Sequence, residues 1–556
     1  MQTDKFCTKI WTWIQKHPYF SLAVILGLQT AFTLNTRNLW FSDEIRYANV
    51  FEHLIQAKKW LVLYLNGQPY PDKPPVYFWF IYLVKSCTPF TPPALFFFCT
   101  SLSAYLYLIA TYHLALVTIK DKNISLLACL VLLTNLYFMG VTHYLRMDLF
   151  FASLIILSHI FFYKYYLIQK NKYLYTAFIL SALAVLTKGP LGLAFPLISF
   201  LIFLALQKKM NLIWQKNFLK GIGLCLSILL LWVIGAYIVE GEKFLHSIFY
   251  DQIYRRAVNT WHHPQPFYHY LLTLPLVWLP WTILFLLKAW NMVKGKKSRE
   301  SSVGSQESRG EATDGLKSGL RFLSVYFLSG FILLSCISIK IVIYLLPIFA
   351  PLAILTAKFL WESQQKSKFW LGLALFFALL ALVLPLANFF HPWPIKIKGH
   401  FLAAFVCLGL AVLIFKLRKK DFCLPLMTLV MGMTLLINVL GIFTAPSLDA
   451  VMSPREQAEK MGFYIRKGYT PIAYKIYSGT YTYYAGQNIL ETRDLAMIGQ
   501  RVRNGEKIVL AMRKKYWDSW RERPENLKIV HKQWIVDRAY YLAVTKEAQA
   551  QKSNNN

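Results

Sequence analysis

The sequence predicts a polytopic α-helical membrane protein that ends in a small α/β domain. Three observations carry this reading. Of 556 residues, 56% are hydrophobic and only 16% charged. That is too apolar for an ordinary soluble enzyme, and it excludes disorder over most of the chain. Apolar runs of spanning length follow one another, about thirteen in all, up to residue 445. The remainder is polar and carries short β-type runs.

The runs lie near 18–36, 93–118, 124–142, 149–168, 173–187, 190–207 and 221–239, then 269–290, 322–338, 342–360, 369–390, 401–415 and 423–444. The first follows Lys5, Lys9 and Lys16 but is followed by no small-residue cleavage site, so it reads as a retained span. Thr187-Lys188-Gly189-Pro190 predicts a tight turn, because one long helix there would carry Lys and Gly-Pro at mid-depth.

The net charge is +33, from 60 Lys+Arg against 27 Asp+Glu. A nucleic-acid binder with such an excess would be polar throughout, so no nucleic-acid partner is expected. The cations instead concentrate in alternate loops: 1–17, 119–123, 164–172, 208–220, 288–321, 358–368 and 416–421. The positive-inside rule makes these cytoplasmic, with the N-terminus inside and everything after 445 outside. The expected division is therefore a membrane domain over 1–445 and an outer α/β domain over 446–556. Within the first, 37–92 is a large outer loop with amphipathic helices. The Ser/Gly-rich stretch 294–319 is a flexible cytoplasmic linker.

In the outer domain, strands are expected at Pro471–Tyr477, Tyr481–Tyr484 and Lys507–Met512, with helices at Pro454–Arg466 and Glu491–Arg503. The eight cysteines lie mostly in apolar runs and form no CxxC pair, so they read as small packing residues.

Before residue 445 the outer segments hold a short set of acids: Asp43, Glu44, Glu52, Asp72, Asp148, Glu240, Glu242 and Asp251. Ser42 is expected to cap a helix that starts at Asp43, whose acids suit its first turn. Ile45, Ala48, Val50, Phe51 and Leu54 make an apolar face suited to a membrane interface. Asp43 and Glu44 thus serve either as helix-start residues or in chemistry. Asp72-Lys73-Pro74-Pro75 is a rigid elbow that projects Lys73, which suits a lipid phosphate or interfacial anchoring. Arg146-Met147-Asp148 sits at a span boundary, where charges are costly unless paired or functional. Lys188, Arg255, Arg256 and Lys340 fall on the outer side, where few cations are expected; each reads as a lone interfacial anchor or, from their shared side, as part of an anion site. His262, His263 and His269 cluster in one loop; adjacent loop histidines are poorly spaced for one ion, and stacking or hydrogen bonding to a sugar is equally open. No phosphate-binding glycine loop, zinc helix motif or nucleophile elbow is present.

Taken together, the motifs resemble the ArnT family of bacterial aminoarabinose transferases, polytopic GT-C glycosyltransferases related to the protein O-mannosyltransferases. The resemblance rests first on Ser42-Asp-Glu-Ile-Arg-Tyr-Ala48 and on Leu65-Asn-Gly-x-Pro-Tyr-x-Asp-Lys-Pro-Pro-x-Tyr-Phe-Trp79. It continues through Arg146-Met-Asp148, Leu186-Thr-Lys-Gly-Pro190, Pro264-x-Pro-Phe-Tyr-x-Tyr270, Leu279-Pro-Trp281 and Ser338-Ile-Lys-Ile-Val-Ile-Tyr344. It implies an undecaprenyl-phosphate sugar donor, aminoarabinose as the sugar, and lipid A phosphate as acceptor at the periplasmic face of the inner membrane, among membrane lipids. The alternatives are transfer of another polyprenyl-linked sugar to protein or glycan, and, less well supported, transport of a lipid-linked sugar.

The resemblance also assigns roles. Asp43 and Asp148 match catalytic acids. Glu44, Arg46, Tyr47, Asp72, Lys73, Arg255, Arg256, Lys340 and Tyr344 match the substrate environment. Two departures bear on metal binding. Asp72 replaces the family's Glu, and Gln252 stands where a His often does. No cofactor is required by the sequence; a divalent metal would have to use Asp72, His262 or His263.

Overall fold

The structure is a computed structural model that describes residues 2–255, 265–293, 310–363 and 366–546. The chain divides into two compact units. One comprises Met1–Leu34, Pro71–Pro385 and His400–Leu440; the other comprises Asn35–Tyr70, Leu386–Gly399 and Gly441–Asn556. A single cut at 445 therefore misses two segments: 35–70 and 386–399 belong with the C-terminal unit. The reason is burial. Ile45, Ala48, Val50, Phe51 and Leu54, expected on a membrane interface, are all 0–2% exposed and pack inside the protein.

The first unit is helical, and every one of the thirteen apolar runs falls on helix. Among the described residues, eight helices are long and apolar enough to cross a membrane: Ala94–Thr118, Asp148–Ile168, Lys216–Glu240, Asp314–Cys336, Val342–Glu362, Lys366–Phe389, His400–Leu417 and Cys423–Met452. Pro18–Thr33, Val76–Cys87, Lys122–Leu133 and Leu191–Leu206 are apolar but shorter. Two runs are broken by local chemistry. The 124–142 run stops at Thr134, and Asn135 caps a new helix by accepting from the Phe138 N–H at 2.8 Å. The 269–290 run breaks between Val277 and Thr282, around Pro280. Residues 310–319, expected as linker, are instead the first turns of helix Gly310–Cys336; Gly319 packs so tightly on the Thr118 carbonyl that a Cβ would lie 1.9 Å from it.

Between helices, small polar groups find partners as the apolar surroundings demand. Gln29 Nε2 donates to the Leu133 carbonyl at 2.9 Å, and the Ser158 and Ser199 hydroxyls meet those of Ser181 and Ser329 at 2.8 Å. The predicted turn at 187–190 is present: helix Asn171–Lys188 ends at Gly189 (φ 112°), and Pro190 opens Leu191–Leu206. Gly192 lets the two helices touch, since a Cβ there would come within 2.4 Å of the Val185 nitrogen.

The second unit holds two sheets. Strands β1 (Tyr64–Leu65) and β2 (Gln68–Pro69) form a short antiparallel ladder. The larger sheet contains β3 (Thr470–Tyr474), β4 (Leu490–Thr492), β5 (Ile508–Arg513), β6 (Leu527–Ile535) and β7 (Arg538–Thr545), in the order β4-β3-β5-β7-β6. The β4-β3-β5 part is parallel, and β7 and β6 extend it antiparallel. Helices Arg455–Arg466 and Leu495–Arg503 lie close to expectation, although Glu491 belongs to β4. Tyr481–Tyr484, expected as a strand, forms a helical turn instead. Gly479 and Gly486 flank it with positive φ, and Tyr481 turns inward to donate from its hydroxyl to Gln457 Oε1 at 2.5 Å.

Candidate functional site

The helical unit builds a small polar cavity of about 90 Å3, lined by Lys73, Asp148, Lys188 and Tyr344 among apolar side chains. Each polar group arrives from an element end. Lys73 precedes Pro74-Pro75, where helix Val76–Cys87 begins. Asp148 is the first residue of its helix and Lys188 the last of Asn171–Lys188. Helix dipoles favour an anion at the first position and a cation at the second. Asp148 is 2% exposed. Its Oδ2 accepts from Arg146 Nε at 3.1 Å, and its Oδ1 is in contact with the Lys188 ammonium. Lys188 also sits 4.2 Å from the centre of the Tyr344 ring.

One buried carboxylate thus meets Arg146 and Lys188, and Lys73 adds a further cation to the cavity wall. The balance is positive and suits an anionic group. Asp148 itself is occupied in holding two cations.

Lys340 is buried in the same unit but makes a different contact. Its ammonium donates to the Ile337 and Gln265 carbonyls at 2.7 and 3.0 Å. It edges a separate, mostly apolar cavity of about 710 Å3, with Phe267, Tyr268, Leu271, Phe331 and Ile332. Arg255 pairs with Asp251 at 3.1 Å within one helical turn and does not line the Asp148 cavity. Asp72 is half-buried beside Lys73 in sequence. Arg256, His262 and His263 lie outside the described residues. Among the described residues no three metal-ligating side chains come together.

The second unit holds the first-loop motif. Helix Asp43–Ala57 starts as expected, but Ser42 makes no side-chain cap; its own backbone is already near helical. Glu44 is fully buried and locked. Both its oxygens accept from the Arg37 guanidinium at 2.7 Å, and Oε2 also accepts from the Trp40 N–H at 2.7 Å. Asp43, one residue earlier, faces elsewhere: its carboxylate is 22% exposed and lies 3.8 Å from Arg46. Arg46 donates to the Tyr477 hydroxyl at 2.6 Å and stacks near the rings of Tyr477 and Tyr70, at 4.4 and 5.1 Å. Tyr47 is buried in the core. On the same helix, burial pushes the Glu52 carboxyl up to about 7, and it also lowers His53, whose ring bonds Asn488.

Sequence reasoning placed these acids side by side but missed Arg37 and Tyr477. Arg37 carried a signal, as a cation at the outer end of the first span. Tyr477 carried none, being over 400 positions away.

Apolar helices of spanning length with charged groups gathered at their ends define a polytopic membrane-type protein, and this chain is similar to several known proteins. The family model described as dolichyl-phosphate-mannose-protein mannosyltransferase matches residues 72–234. An undecaprenyl phosphate-alpha-4-amino-4-deoxy-L-arabinose arabinosyl transferase of Yersinia enterocolitica is 29% identical over 352 residues, covering 62% of this chain and 59% of its own. An uncharacterized protein of Aquifex aeolicus is 28% identical over 357 residues, covering 64% of this chain and 65% of its own. The match thus spans less than two thirds of either relative. The crystal structure of ArnT from Cupriavidus metallidurans bound to undecaprenyl phosphate superposes with a TM-score of 0.74 at 16% identity, covering 94% of this chain and 96% of that one. Its apo form gives the same score, covering 96% and 98%. This chain therefore shares its fold with that ArnT.

Proposed function

We propose that this chain is a glycosyltransferase that moves 4-amino-4-deoxy-L-arabinose from undecaprenyl phosphate to a lipid A phosphate at the periplasmic face of the bacterial inner membrane. The observation that carries this reading is the Lys73–Asp148–Lys188–Tyr344 cavity, a buried, cation-rich pocket in a membrane-type helical unit. The names of the relatives and the fold of ArnT supply the donor class. By the positive-inside rule the basic loops support a cytoplasmic N-terminus and a periplasmic C-terminal unit.

In this reaction an acceptor oxygen attacks the anomeric carbon while the bond to the donor phosphate oxygen breaks. Negative charge grows on the departing phosphate. Lys73 and Lys188 stabilise it, with Asp148 and Arg146 holding Lys188 in place. An acceptor phosphate is already ionised, so its positioning matters more than its deprotonation, and Asp43 serves that positioning through Arg46, 3.8 Å away.

A second reading, transfer of another polyprenyl-linked sugar to protein Ser/Thr, is favoured by the mannosyltransferase match over 72–234. It would make Asp43 a true general base. Mass spectrometry of lipid A from cells with and without the gene decides. The first reading expects a pentosamine-sized mass loss, together with loss of polymyxin resistance, on deletion. Unchanged lipid A would refute it.

A further inference from the structure

The second unit carries another cavity, of about 370 Å3, that the transfer scheme does not use. Its wall is Lys475, Ile476, Tyr477, Arg493, Arg513 and Tyr516: three cations, two phenols and no acid. The topology puts the cations there. Lys475 follows the last residue of β3, Arg493 follows the last of β4, and Arg513 ends β5. These are the three parallel strands, and all three cations stand at their carboxyl ends. In the order β4-β3-β5 the chain leaves β3 to one side and returns on the other. The gap between β3 and β5 is therefore a topological switch point, where open α/β sheets bind their ligands.

The charges are uncompensated. Among the described residues, none of the three forms an ion pair with a carboxylate. The neighbouring acids are engaged elsewhere: Glu491 accepts from the Gly479 N–H at 2.8 Å, and Asp494 caps the next helix through the Met497 N–H. Arg513 Nε is buried and makes no hydrogen bond within the protein. Three like charges held around one pocket repel one another unless an anion joins them. Two guanidiniums offer forked donors that match phosphate geometry, and a dianion balances three cations better than a carboxylate does.

We propose that this pocket is a binding site for a phosphate monoester. The inference does not rest on the transfer reading, because binding is read without turnover. The test uses the full chain in detergent, titrated calorimetrically with glycerol 3-phosphate. Lys475 and Arg493 are exposed, so their replacement leaves the core intact. Lys475→Ser/Arg493→Ser is expected to weaken binding about tenfold or more, whereas Lys73→Met, in the helical unit, leaves this site's affinity unchanged. No glycerol 3-phosphate binding by the wild-type chain, or equal affinity in the double variant, overturns the proposal. A competition arm assigns the source: displacement by short-chain phosphatidic acid but not phosphatidylcholine supports a lipid headgroup, and its absence supports a free phosphate ester.

Discussion

Replacing Arg37 by Met tests whether Glu44 is a structural anchor or a group available for chemistry. In the wild type Glu44 is 0% exposed and Arg37 7%, and the pair shares two hydrogen bonds of 2.7 Å. The Trp40 N–H supplies a third. Arg37→Met removes two of these three hydrogen bonds and leaves a carboxylate where water does not reach. Stranding one member of a buried pair costs about 3–5 kcal/mol. Across a unit of this size that corresponds to roughly 10 °C in melting temperature. Arg37→Met/Glu44→Gln removes the charge while keeping an acceptor for Trp40, so it should recover at least half of the loss. The assay is fluorescence-monitored thermal unfolding of purified protein in detergent. A single variant that melts with the wild type, or a double variant no better than the single, would show that Glu44 is not held as described.

Asp43→Asn, one residue away, should melt like the wild type yet lose transfer from a polyprenyl-phosphate donor in detergent; full activity would remove Asp43 from the reaction. Lys188→Met should lower kcat/KM by about 10²–10³-fold, the usual loss when one preorganised donor to developing charge is removed. Glu52 has its folded-state pKa raised from 4.5 to about 7, so the fold favours its protonated form. Its cost is absent below pH 4.5, grows as pH rises and is complete above 7. Glu52→Gln should therefore stabilise the fold at pH 8 but not at pH 4.5, by up to about 2 kcal/mol after allowance for screening, read as a rise in melting temperature at pH 8 alone; equal gains at both pH values would contradict this. Gly192→Ala should destabilise the Asn171–Lys188/Leu191–Leu206 hairpin, because its Cβ would meet backbone that cannot yield; an unchanged melting curve would show that the helices can separate at no cost.

The spans were legible because each is a local pattern: a long apolar run must become a helix in lipid, whatever its neighbours do. Breaks within runs were legible where Gly-Pro marked them at 189–190, and less so at Thr134, where an Asn cap was needed. The sheet unit was harder. The strand at Ile508–Arg513 is a continuous apolar run, but Leu527–Ile535 and Arg538–Thr545 alternate weakly and earn their place by pairing with each other and with β5. Tyr481–Tyr484 shows the opposite failure: β-type residues overruled by flanking glycines and one buried hydroxyl. The membership of 35–70 in the second unit depends on long-range contacts, such as Asn66 Oδ1 accepting from the Ile489 N–H at 2.8 Å, that no window of sequence contains.

The site was legible as a set of residue types and illegible as a division of labour. Adjacent residues on a helix point about 100° apart, so Asp43 and Glu44 had to meet different surroundings. Which one met the core depended on Arg37 and Trp40. The same holds for Asp148. Its position at a span boundary flagged it as paired or functional, and the pairing is with both Arg146 and Lys188. A carboxylate shared by two cations holds both in place. The acid that fixes the cations and the acid at the start of helix Asp43–Ala57 are therefore different residues in different surroundings. In a reaction whose leaving group is a phosphate, the first of these tasks is the more demanding one, because charge must be balanced where water is scarce.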